Sequence, residues 1–78
     1  MMYISGTIAD VTDDGAIATL ILDAGHQKHH LQADLHLLFE GLTALYGDDY
    51  IGKPIAVECE GSVLTSIEIP GAAPNYAI

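Results

Sequence analysis

One stretch with helical periodicity lies among segments that alternate like strands, and this narrows the folds open to the chain. Residues 34–46 read Asp-Leu-His-Leu-Leu-Phe-Glu-Gly-Leu-Thr-Ala-Leu-Tyr. Leu35, Leu38, Phe39, Leu42, Leu45 and Tyr46 recur at helical spacing and form one apolar stripe. Asp34 is placed to cap the first turn: its carboxylate accepts from a free N–H and complements the positive end of the helix dipole. Gly47 supplies the stop, because many helices end in a left-handed residue and glycine enters that region freely. Thirteen residues make a helix that is marginal alone in water. It is expected to dock on an apolar sheet.

Beside the stripe runs a second row, Leu37, Gly41 and Ala44, leaving only His36, Glu40 and Thr43 plainly polar. The apolar arc is wider than one packing face requires. A glycine in a helix interior costs about 1 kcal/mol against alanine, so Gly41 calls for a reason. Either the helix is well buried and the glycine is tolerated, or the glycine admits a second subunit at close range. Leu37, Gly41 and Ala44, with Leu64 on the last hairpin, form the candidate self-association surface of an expected homodimer.

The remaining segments read as strands. In residues 2–12, Met2, Ile4, Gly6 and Ile8 share one face, while Ala9 and Val11 carry apolar character to the other. That phase change predicts a bulge near Ala9 and Asp10. Gly6 fits a sharp bend, as at a barrel corner. Asp14-Gly15 predicts a two-residue type I′ hairpin, pairing Asp13 with Ala16, Val11 with Ala18 and Ile8 with Ile21. The second strand, 16–23, is apolar on both faces, as in a central strand or a closed barrel. A turn around Ala24-Gly25 leads to a third strand, 28–33, with Leu31 inward. Pro54 opens the fourth strand, with Ile55, Val57 and Cys59 inward and Ala56, Glu58 and Glu60 outward. In the fifth, Val63, Thr65, Ile67 and Ile69 are expected inward. Matching these two faces requires an odd loop, 60–62, that pairs Cys59 with Val63, Val57 with Thr65 and Ile55 with Ile67. The outer face then shows Glu58, Leu64, Ser66 and Glu68. Residues 1–69 form the expected domain. Residues 70–78, with two prolines and no periodicity, read as a flexible tail.

The order β-β-β-α-β-β, with its helix between the third and fourth strands and Gly6 at a corner, resembles the OB-fold. The resemblance implies a mainly β domain: a small five-stranded antiparallel barrel with one packed helix. An open, curved antiparallel sheet carrying the helix on one face, β-grasp-like, fits the same order if strands two and three form one bent unit.

At 78 residues the chain is one domain. Cys59 is the only cysteine, so no disulfide framework exists, and a thiol in an apolar strand reads as core in a reducing compartment. The N-terminus lacks the basic and apolar regions of a signal peptide. No stretch reaches the ~20 apolar residues of a membrane span. A soluble, cytoplasmic protein is expected.

Charge constrains the partners. Eleven acidic residues face two lysines, Lys28 and Lys53, and no arginine, for a net charge of −9. Nucleic acids and anionic membranes are bound through Lys and Arg, so neither is an expected direct partner. A basic protein is favoured by steering, and Asp48, Asp49, Glu58, Glu60 and Glu68 form the candidate partner surface. Carboxylates on a rigid β surface also imitate a phosphate backbone. The alternative is therefore an inhibitor of a nucleic-acid-binding protein, of the kind phages direct against host defences.

His26, His29, His30 and His36 fall within eleven positions. Strand alternation sends His29 and His30 to opposite faces. The candidate metal ligands are then His26, His30 and His36, with an oxygen from Asp23 or Asp34. Zinc needs three or four converging ligands, and no standard spacing is present. The same histidines would lower the negative charge on titrating near pH 6. No histidine stands at a nucleophile spacing from Cys59, the carboxylates lie on turns and outward faces, and no glycine-rich phosphate loop occurs. The expected function is non-enzymatic, cofactor-free protein binding. A metal- or pH-responsive domain is the second reading and a small-ligand binder in the barrel mouth the third.

Overall fold

The computed structural model describes residues 2–71 and 76–78. Its elements are β1 (Met2–Asp13), β2 (Ile17–Ala24), β3 (Gln27–Asp34), α1 (Leu35–Tyr46), β4 (Pro54–Glu60), β5 (Val63–Glu68) and β6 (Tyr76–Ala77). The first five strands run β3-β2-β1-β4-β5 around a barrel, which closes where β5 meets β3 in parallel at Gln32 and Val63. At that joint the Gln32 N–H donates to the Ser62 carbonyl at 2.7 Å. The architecture is an OB-like barrel with one helix. The open-sheet alternative is not adopted.

β1 makes closure possible by serving two neighbours. Residues Met2 to Thr7 pair with β4, and Thr7 to Asp13 pair with β2. The hand-over coincides with an irregularity between Ile8 and Asp10, the bulge that the apolar phase change predicted. Gly6 sits just before it. A Cβ there would collide with the Asp23 carbonyl oxygen and stand 3.2 Å from the Ala24 Cα. β2 crosses too close for any side chain.

Inside, Ile4, Ile8, Leu20, Leu22, Ile55, Val57, Cys59 and Ile67 pack with Leu38 and Leu42 of the helix. Asp34 caps α1, its carboxylate accepting from the Leu37 N–H at 3.1 Å, and Gly47 ends it at φ 68°. Leu35, Leu45 and Tyr50 pack around the edge of the core. Among the described residues no helix is long and apolar enough to cross a membrane.

Both hairpin registers differ from expectation. In the first, Asp13 pairs with Ala18 and Val11 with Leu20. Only Gly15 of the turn has positive φ, at 99°, so a four-residue turn replaces the type I′ pair. The Asp14 carboxylate accepts from the N–H groups of Ala16 and Ile17 at 3.0 and 2.8 Å, and Asp13 accepts from Gly15 at 2.9 Å. These local bonds stabilise the wider turn. Of the two apolar faces of β2, the one with Ala18, Leu20 and Leu22 turns inward.

In the second hairpin Glu60 pairs with Val63 and Cys59 with Leu64, so the turn is the two-residue Gly61-Ser62 rather than the expected 60–62. The register then slips, and Glu58 pairs with Ser66 and Val57 with Ile67. Thr65 is the extra residue, its hydroxyl donating to the Glu58 carbonyl at 3.0 Å. The bulge turns both Leu64 and Ile67 inward, at 2% and 0% exposure, which strict alternation forbids for residues three apart. Leu64 is therefore core and not outer surface. Thr65→Val removes the donor and leaves the Glu58 carbonyl short of a partner. It should cost about 1 kcal/mol, read as a lower urea midpoint at unchanged slope.

The C-terminus is not loose throughout. Tyr76 and Ala77 pair with Ile67 and Ser66, and the Ile78 N–H donates to the Thr65 carbonyl at 2.9 Å. Ile78 packs against the core. Residues 72–75 of the expected tail lie outside the described residues.

Candidate functional site

The barrel seam holds a groove of about 240 Å³ lined by Ile17, Gln32, Ala33, Asp34 and Val63. Ile17 is the β2 partner of Asp34, and Val63 is the β5 partner of Gln32. The two aliphatic side chains thus form opposite walls, with β3 as the floor. Both are open to solvent, Ile17 at 43% and Val63 at 55%.

One carboxylate lines this groove and two others neighbour it. Asp34 is fixed by its bond to the Leu37 N–H. Asp14 is fixed in the turn beside Ile17, and Glu60 is the cross-strand neighbour of Val63. The Ile17 and Ala16 N–H groups hold the Asp14 carboxyl below its ordinary value of 3.8. A carboxyl lowered on folding contributes stability above 3.8, and that contribution is lost as pH falls through the folded value. Asp14→Asn keeps an acceptor oxygen but does not titrate. Its urea midpoint should fall less steeply than that of wild type as pH drops below 3.8.

The lysines lie elsewhere. Thr7 pairs with both Asp23 and Pro54, which defines an opposite corner. Lys28 is the partner of Asp23, and Lys53 precedes Pro54 and meets the Asp49 carboxylate at 3.7 Å. Neither lysine neutralises the acids at the seam.

The five carboxylates expected as one partner surface occupy three places. Asp48 and Asp49 follow α1 at the lysine corner. Glu58 and Glu68 stand on the outer face of β4 and β5. There Tyr3 pairs with Glu58 and its hydroxyl donates to Glu68 at 3.1 Å. That bond, with the nearby carboxylate charges, raises the Tyr3 phenol above its ordinary 10.0. The bond also spans β4, whose outward Ala56 is fully buried. Glu60 alone reaches the seam.

The candidate metal set is not assembled. His26 lies in the β2–β3 turn, His30 pairs with Ile21 in mid-strand, and His36 is in the first turn of α1 at the seam end. Among the described residues no three His, Cys, Asp or Glu side chains are placed to hold a metal ion.

The candidate self-association row is also broken up. A Cβ on Gly41 would stand 2.8 Å from the Ile67 Cδ1 and 3.1 Å from the Ile78 Cδ1. The glycine therefore accommodates this chain's own C-terminus. With Leu64 in the core, only Leu37 and Ala44 of that set remain exposed.

Comparison of the chain with protein-family models, with curated proteins and with solved structures finds no match.

Alternation with Thr65 sends Val63 inward on sequence grounds, which hides the groove although Asp34 stands out as a cap. The available signal was the polar pair Thr65-Ser66 between Leu64 and Ile67, a spacing that only a bulge reconciles with two inward apolar residues. Ile17 was seen as apolar, but nothing in the sequence placed it opposite Val63.

Proposed function

We propose that this chain is a small non-enzymatic protein-binding domain that docks basic, partly apolar surfaces at the seam end of its barrel. The observation that carries this reading is the segregation of charge. Asp34 lines the groove between exposed Ile17 and Val63, Asp14 is bonded to the Ile17 N–H and Glu60 pairs with Val63, while Lys28 and Lys53 lie at the opposite corner. Such a surface repels phosphate, which needs cations to displace its counterions. It steers positively charged proteins, and its apolar centre adds contact area once they arrive. All three carboxylates are exposed, and the Asp14 carboxylate is hydrogen-bonded to N–H groups that favour its charged form, which suits recognition rather than proton transfer.

The test is capture of proteins from the native cell lysate at low and high salt, with two charge-neutralised variants. Asp14→Asn, Asp34→Asn and Glu60→Gln together keep the cap and the turn acceptors. They should remove most of the low-salt capture, whereas Asp48→Asn with Asp49→Asn should leave it unchanged. Equal loss in both variants would mean that net charge alone, rather than the seam, attracts the captured protein.

A further inference from the structure

We propose that the groove between Ile17 and Val63 receives one aliphatic side chain from an extended partner segment, with Lys or Arg on each side of it reaching Asp14, Asp34 and Glu60. This rests on the protein-binding reading above and names the chemistry of the partner. The volume of about 240 Å³ falls below the ~300–1,000 Å³ of small-molecule sites. It suits a single side chain rather than a cofactor or a stacked base. The walls are aliphatic and exposed, and no aromatic residue lines the groove. A flat ring therefore finds no stacking partner, while a branched aliphatic group finds van der Waals contact on both sides.

The rim decides what flanks that side chain. Asp34 and Asp14 lie on the β2–β3 side of the groove and Glu60 on the β4–β5 side, beside Val63. A segment laid across the seam thus meets a carboxylate before and after the apolar position. Cations at both flanks complement it, and acidic flanks are repelled. A second copy of this chain does not qualify: its only cations are Lys28 and Lys53, and no segment has Lys or Arg on both sides of an apolar residue.

The experiment is a titration of the ¹⁵N-labelled full chain at low salt, followed by amide resonances. Two pentapeptide probes are used, one with leucine between two pairs of lysines and one with glycine in its place. The expected result is saturable binding of the leucine probe, at least tenfold tighter than the glycine probe, with the largest shifts at Ile17, Gln32, Asp34 and Val63. Val63→Ser, a change at an exposed position, should abolish the discrimination between probes while leaving the rest of the spectrum in place. Equal affinity for the two probes, or shifts centred on Glu58, Glu68 or Asp48, would overturn the groove assignment and leave the protein-binding reading standing. No binding of either probe at low salt would overturn both.

Discussion

Replacing Gly6 by alanine should cost about 3 kcal/mol or more, a large share of the stability of a domain this small. Overpacked sites usually lose ~1–3 kcal/mol because neighbouring side chains rearrange. At Gly6 the obstacles are the Asp23 carbonyl group and the Ala24 Cα, which belong to the backbone. Asp23 is paired on one side with Thr7 and on the other with Lys28. It cannot retreat without opening the β1–β2 or β2–β3 ladder, and that is the corner where β1 passes from one neighbour to the other. A domain of this size has a total stability of roughly 4–12 kcal/mol at typical per-residue values, so one methyl group removes a large part of it. Urea unfolding reads the effect as a fall in midpoint with little change in slope. Gly15→Ala is the matched control: its Cβ meets nothing within 4 Å but its φ is 99°, so only backbone strain remains, about 1 kcal/mol. If Gly6→Ala lost no more than Gly15→Ala, the strand crossing would be looser than its geometry indicates.

Gly6 also shows what was legible in the sequence. A glycine inside an apolar strand, followed by a phase change, marked the bend and the bulge, and the structure has both. The helix was read to within one residue because its stripe, cap and stop are all local. The inner face of β4 was legible because its period-two pattern is clean, whereas β2 is apolar on both faces and its pattern does not say which face turns inward. Register itself was not legible. At Asp13-Asp14 the deciding interactions are side-chain bonds to N–H groups two or three residues away, and these compete with the tight turn. At Thr65 the deciding interaction is a hydroxyl bond to the Glu58 carbonyl across the hairpin, invisible to any single-strand pattern. The candidate site suffered most, because it is made where three segments meet: the turn after β1, the end of β3 and the turn before β5. No local pattern reports that Ile17 and Val63 face each other across β3. Of the carboxylates, Asp48, Asp49 and Glu60 are exposed as expected while Glu58 and Glu68 are half-buried, and the sequence proximity of Glu58 to Glu60 hides their placement on different parts of the barrel.

Leu42→Ala should be the second large loss, about 3–5 kcal/mol, because it combines lost transfer energy with a cavity that cannot collapse. Leu42 is fully buried and lies with Leu38 on the face of α1 that fills the barrel. The barrel wall resists following the truncated side chain inward, since β2 and β4 are paired with neighbours on both sides over most of their length. The neighbouring Gly41 already brings the helix backbone close to Ile67 and Ile78, so the helix cannot sink further to fill the gap. The helix is also only 12 residues long, marginal without its docking surface, and weakening that contact weakens the element itself. Leu37→Ala on the same helix is the contrast. Leu37 is 45% exposed, and its loss should stay within about 0.5 kcal/mol, as for surface changes in general. Chemical denaturation of both variants, with amide hydrogen exchange of α1, separates the possibilities. Leu42→Ala should lower the urea midpoint sharply and speed exchange throughout the helix, while Leu37→Ala leaves both near wild type. A Leu42→Ala protein as stable as Leu37→Ala would mean that the five strands close and hold without the helix docked on them, which the shared packing of Leu38, Leu42, Ile55 and Ile67 argues against.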